Sequence, residues 1–208
     1  MKKLIFSAAF VLSLGLAGCG DDAAKEEKPK EETQKSVSTD KTNDSSKKDD
    51  VQEDANLKAM NTYTNKEVGI SGQSGPILYN IEAVQLKKIT PKTEEAANLF
   101  DVAVGEEVDA LTISMSGENT STEDMNFHLG QAVIITNTKE QLEPDMILSE
   151  HIEGNYLGKV KHEGYNVYVL KNSKVEDLKN IEIRVDAPTN SNFDQQGEDV
   201  THTIEVNK

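Results

Sequence analysis

Leu111-Thr-Ile-Ser-Met-Ser-Gly-Glu-Asn-Thr-Ser121 sets apolar Leu111, Ile113 and Met115 against hydroxyl-bearing Thr112, Ser114 and Ser116. A period of two puts the first set on one face of a strand and the second on the other, the signature of an antiparallel sheet with one buried and one wet face. The same pattern recurs outward from this run. Ile77, Tyr79, Ile81 and Ala83 alternate before it. Residues 132–136 are β-branched and apolar. Val167 and Val169, then Ile181, Ile183 and Val185, then Ile204 and Val206 alternate after it. Turn chemistry separates the runs at residues 72–76, 117–121, 137–140, 162–164 and 190–192. One stretch departs from period two: Thr93-Glu-Glu-Ala-Ala-Asn-Leu-Phe100 follows Pro91, offers Thr93 as an N-cap and has acids in its first turn. The reading is an all-β chain, an antiparallel sandwich of two sheets with one short helix in a long connection. A second short turn is expected at residues 175–178. The chain has one cysteine and no tryptophan, so the Cys…Trp…Cys pattern of antibody domains is absent.

That cysteine, Cys19, ends the tetrapeptide Leu16-Ala-Gly18-Cys19, which follows Lys2, Lys3 and a short apolar run. A basic start, an apolar stretch too short to span a bilayer and small residues at the cut make a secretory signal. The ending resembles the lipobox of bacterial lipoproteins. The resemblance implies cleavage between Gly18 and Cys19, a diacylglyceryl thioether on the Cys19 sulfur and acylation of the new amino group. Two or three acyl chains anchor stably where one is marginal. The expected location is the outer face of the bacterial cytoplasmic membrane.

Three segments follow: a signal peptide at 1–18, a lipidated cysteine with an acidic tether at 19–55, and a domain at 56–208. Residues 21–55 hold twelve acids and seven lysines with almost no large apolar side chain. Such a segment buries too little to offset the entropy of ordering and is expected to be a disordered spacer. At this length its mean span is roughly 30–35 Å, with a stretched limit near ~120 Å. The formal net charge of −15 becomes −17 once Lys2 and Lys3 are removed. A protein of that charge is repelled by nucleic acid and by anionic headgroups, so membrane attachment rests on lipid. With Cys19 consumed, the domain contains no disulfide and depends on its hydrophobic core.

The strand followed by Glu118-Asn-Thr-Ser121, the hairpin at 131–142 and the strand pair at 158–170 together resemble surface lipoproteins of Gram-positive bacteria, including Bacillus, that carry a telokin-like, immunoglobulin-like domain of unknown function. The resemblance spans about residues 68–206. It implies fold and location, and it supplies no catalytic residue.

Chemical motifs are sparse. Gly69-Ile-Ser71-Gly72 and Gly72-Gln-Ser74-Gly75 fall short of a Gly-x-Ser-x-Gly nucleophile elbow and read as a flexible loop. His128, His151, His162 and His202 have no zinc-ligand spacing. Asn192-Phe-Asp194-Gln-Gln-Gly197-Glu-Asp199 echoes half a calcium loop, with Asn192, Asp194 and Asp199 as candidate ligands. Asp101 and the acids at 106, 107 and 109 form a second acidic cluster. Tyr156, Tyr165 and Tyr168 are a candidate contact patch, since tyrosine suits interfaces as well as strand pairs. The sequence therefore reads as a non-enzymatic binding module whose partner is an envelope protein, peptide or polymer. No cofactor is expected beyond the covalent lipid. The alternative is a cation- or small-ligand-binding module built on the acidic loops, with calcium as the ion.

Overall fold

The computed structural model describes residues 50–206. The signal peptide, Gly18, Cys19 and the spacer up to residue 49 lie outside the described residues.

The chain forms β1 (Asp50–Glu53), β2 (Leu57–Asn65), β3 (Ile70–Ser74) and the long β4 (Ile77–Pro91), then helix α1 (Glu94–Asn98). It continues through β5 (Val108–Asn119), β6 (Met125–Asn126), β7 (Val133–Thr136), β8 (Gln141–Leu142), β9 (Asn155–Tyr156) and β10 (Lys161–Val169). Strands β11 (Asn180–Val185), β12 (Thr189–Asn190) and β13 (Val200–Glu205) complete it. All pairings are antiparallel. One sheet runs β1-β2-β4-β5-β10, with β3 beside the first half of β4; a second runs β13-β11-β7-β8. The architecture is the expected all-β sandwich, with a small third sheet, β12-β6-β9, that the sequence did not disclose.

The main core joins both sheets: Ile77, Tyr79, Ile81, Val84, Leu86, Leu111, Ile113 and Met115 from the first meet Ile134, Ile181, Ile183, Val200 and Ile204 from the second. In β4 the inward set changes from odd to even numbers because a bulge at Glu82 adds one residue against β5. Below it, Ile89 pairs with Val108, and both are buried with Ala96, Ala97 and Phe100. These lie outside the main cluster and form a satellite core under α1. The helix starts where the sequence placed it, with Thr93 Oγ1 accepting the Ala96 N–H at 3.3 Å. The second expected turn is a 3-10 turn at Val175–Asp177.

Several local expectations change. The folded region starts before residue 56, because β1 pairs with β2 across Asp50–Asn61 and Glu53–Lys58. Residues 69–75 are not a flexible loop: β3 runs to Ser74 and turns tightly into β4 at Gly75-Pro76. Gly75 has φ +53°, and a Cβ there would overlap the Gln196 backbone, so only glycine serves this turn. Residues 162–164 are strand interior rather than turn, and β5 continues to Asn119. Finally, β5 has no wet face. Thr112, Ser114 and Ser116 are buried, as Leu111, Ile113 and Met115 are. They are small side chains in mid-sheet, shielded by longer neighbours in register, Gln85 and Val167 beside Thr112 and Tyr165 beside Ser114. Ser116 donates to Glu82 Oε1 at 2.7 Å.

Candidate functional site

The three tyrosines do not form a patch. Tyr165 and Tyr168 are three residues apart on β10, so their side chains leave opposite faces. Tyr168 is fully buried, its hydroxyl donating to the Ala132 carbonyl at 2.8 Å and accepting from Asn166 Nδ2 at 3.2 Å. Tyr156, on β9, is also fully buried. Its ring lies 4.8 Å from that of His162, and its hydroxyl occupies the space a Cβ at Gly117 would need. Burial pushes the Tyr156 phenol up to about 12. Only Tyr165 is partly accessible.

The acidic loop is built on one side chain, Asn190. Its Oδ1 accepts the N–H groups of Asn192 at 2.9 Å and Asp194 at 3.0 Å. Its own N–H donates to the Asp194 carbonyl, and Phe193 N–H donates to the Asn190 carbonyl, each at 3.0 Å. The Asp194 carboxylate faces Asn190 Nδ2 at 3.3 Å, whereas Asp199 accepts the Ala187 N–H at 2.9 Å. The two acids thus serve different backbone segments, and Asn192 enters through its amide rather than its side-chain oxygen. Among the described residues, no group of three or more His, Cys, Asp or Glu side chains is placed to hold a metal ion. In the second acidic cluster Glu107 pairs with Lys88 at 2.7 Å, Asp109, almost fully buried, pairs with Lys174 at 2.9 Å, and Glu106 accepts the Ala103 N–H at 3.1 Å.

The histidines are dispersed as well. His202 Nε2 meets the Tyr79 hydroxyl at 2.8 Å, the His162 ring packs against that of Tyr156 at a tilt of 58°, and His151 approaches Glu153 at 3.5 Å. Ser74 donates to the Glu198 carbonyl at 2.6 Å and Ser71 to Asn80 Oδ1 at 2.7 Å, so neither is held by a base. A cavity of about 30 Å³ opens between Gly130, Met146, Glu150, His151, Ile152 and Asn166. Asn166 Oδ1 is buried there without a protein partner. That volume suits a single water.

What the structure leaves exposed at one end of the small sheet is two apolar side chains. Tyr156, Met125 and Asn190 share one row of the three-stranded sheet. The chains leaving β9 and β12 therefore exit at the same end, and those outer strands lie about 10 Å apart across β6. One exit carries Leu157, 71% exposed; the other carries Phe193, 82% exposed. Phe193 sits at φ +64°, a left-handed conformation that a bulky residue adopts only where surrounding bonds impose it. The Asn190 bonds impose it here. The sequence held a signal for this tip, an apolar residue flanked by Asn and Asp in a turn, but the alternating oxygens drew the reading toward calcium.

No family model matches the chain. It is 26% identical over 157 residues to the SPbeta prophage-derived uncharacterised lipoprotein YonS of Bacillus subtilis, covering 69% of this chain and 77% of that one. A functionally unknown protein from Listeria monocytogenes has the same fold: TM-score 0.55 at 14% identity, over 72% of this chain and 88% of that one. The yjhA protein of Bacillus subtilis aligns at TM-score 0.46 and 12% identity, over 69% of this chain and all of that one. The chain is thus similar in sequence to an uncharacterised Bacillus lipoprotein, and its domain is an all-β sandwich of a kind already seen in a Listeria protein of unknown function.

Proposed function

We propose that this chain is a lipid-anchored protein on the outer face of the cytoplasmic membrane, and that its sandwich is a non-enzymatic interaction module. The Leu157–Phe193 end is its contact surface, and a protein, peptide or polymer of the cell envelope is its partner. One observation carries this reading: an aromatic side chain held outward, 82% exposed, on a loop whose amides are bonded internally. An unused phenylalanine in water is a liability, and its left-handed backbone costs of order 1–3 kcal/mol. A contact that buries the ring recovers that cost. The dispersed histidines, and serines that no base holds, favour contact over catalysis. The separate engagement of Asp194 and Asp199 favours it over cation binding.

The test is photo-crosslinking in intact cells from a reactive side chain at position 193, with position 94 on α1 as control. A discrete envelope product from 193, lost in Leu157→Ser and absent from 94, is expected. Identical products from both positions would overturn the assignment of the contact end.

A further inference from the structure

Strand β13 ends the second sheet, and among the described residues nothing pairs with its outer edge. Its hydrogen-bonding phase is fixed. Val206 N–H donates to the Lys179 carbonyl at 2.8 Å, and Ile204 pairs with Ile181. In an antiparallel ladder, backbone groups turn toward the partner at every second residue. Residues 200, 202, 204 and 206 therefore face β11, whereas Thr201, Thr203 and Glu205 present N–H and C=O to the open side. The side chains of those three are exposed as well, while Val200 and Ile204 point into the core.

Folded proteins normally blunt such an edge with lysine, proline, a bulge or a covering segment. The other edges here are shorter or covered: β8, β9 and β12 have two residues each, β1 four and β3 five, and β10 is covered by the segment whose Asp145 and Glu150 N–H groups bond Val167 and Tyr165. β13 reads Val-Thr-His-Thr-Ile-Glu, with none of these devices and regular register over six residues. Acids mark both ends, Glu198 and Asp199 before it and Glu205 at its close.

We propose that β13 receives an extended, basic peptide segment as an added strand. The proposal rests on reading the domain as an interaction module but uses a surface other than the Phe193 tip. Main-chain bonds at Thr201 and Thr203 supply affinity, and alternation supplies selectivity. Apolar residues of the added strand continue the Val200–Ile204 face, and lysines or arginines lie on the solvent face beside Glu205. Charge selects this occupant over a second copy of the chain. Residues 50–208 carry 28 acidic against 13 basic side chains, so edge-to-edge pairing sets two strongly acidic domains together.

The experiment uses the full chain in neutral detergent with a capped seven-residue peptide alternating lysine and valine. Its glutamate-for-lysine counterpart is the control. Amide exchange is followed by mass spectrometry and peptide binding by anisotropy. The lysine peptide slows exchange at Thr201 and Thr203 by about tenfold or more, and the glutamate peptide does not. Thr203→Pro removes an outward N–H without touching the β11 ladder, a position where edge strands tolerate proline. It abolishes protection, and Thr201→Pro repeats the result should Thr203→Pro misfold. Phe193→Ser leaves protection intact, which separates this proposal from the contact-end reading. Equal binding to Thr203→Pro, no protection, or protection that appears with protein concentration alone would each overturn it, the last in favour of a second copy.

Discussion

Replacing Glu140 by glutamine keeps the shape of a buried side chain and removes its charge. Glu140 is 7% exposed and stands in the turn between β7 and β8. Its Oε1 accepts the N–H groups of Lys171 at 2.7 Å and Asn172 at 3.0 Å, and Oε2 accepts that of Ser173 at 2.9 Å. One carboxylate thus fastens the second sheet to the chain leaving β10. Hydrogen bonds to a charged group contribute about 1.5–3 kcal/mol each. Glutamine keeps an oxygen for Lys171 and Asn172, which water also reaches, but turns an N–H group toward the buried Ser173 N–H. The expected loss is about 2–3 kcal/mol at neutral pH, less than three such bonds for that reason. Its pH dependence has a definite sign. Burial alone would raise the Glu140 carboxyl, but the Ser173 side chain and the three backbone N–H groups outweigh burial and hold it below the usual carboxylate range. A carboxyl lowered on folding stabilises above its unfolded value, about 4.3, and that contribution fades as pH falls through the lower folded value. Glutamine does not titrate. The gap between wild type and Glu140→Gln is therefore full above about pH 5 and shrinks toward pH 3. Urea unfolding at fixed ionic strength across that range measures it. A gap below about 0.5 kcal/mol at pH 7, or one constant with pH, would refute the clamp.

Two further outcomes test the chain's ends and its centre. Cys19→Ala blocks the expected lipidation and shifts the protein from the detergent phase to the aqueous phase or leaves uncleaved precursor, read by phase partitioning and intact mass. Ile113→Ala, at 0% exposure, costs about 2–5 kcal/mol in urea unfolding, whereas Thr112→Ala on the opposite face costs about 1 kcal/mol despite similar burial, because a smaller apolar volume is lost.

Legibility followed how each strand is buried. β5 and β11 were visible because an apolar side chain stands at every second position through their centres, and β13 showed only at its Ile204–Val206 end because His202 interrupts the alternation. α1 was visible because Pro91, Thr93 and two acids carry helix-start chemistry. β2 was invisible for the converse reason. Six of its nine residues are half-buried, so neither face selects strongly for apolar side chains and no period-two signal forms. β1 was lost inside a lysine- and acid-rich composition that argues against structure on average but does not forbid a four-residue edge strand. The wet face assigned to β5 failed because serine and threonine are small. Between long neighbours, a small polar side chain is shielded from water without being apolar, and sequence alternation alone does not report that shielding.

The exposed Phe193 tip, the proposed contact end, was hidden by a resemblance between two uses of the same residues. Oxygen-bearing side chains at alternate positions, closed by a glycine, suit a calcium loop. They also suit a turn in which Asn and Asp bond the backbone two to four residues on. The two uses differ in where the oxygens point. A cation requires them to converge outward on one centre. Here Asn190 directs its oxygen at the amides of Asn192 and Asp194, and Asp199 turns to Ala187. Once those oxygens are engaged with the backbone, Phe193 is left as the outward group of the loop, at a backbone angle that Asn190 enforces. The polar residues that imitate a metal site are therefore the scaffold of an apolar tip. In the proposed reading, binding falls to the one residue of the loop that the calcium pattern left as a spacer.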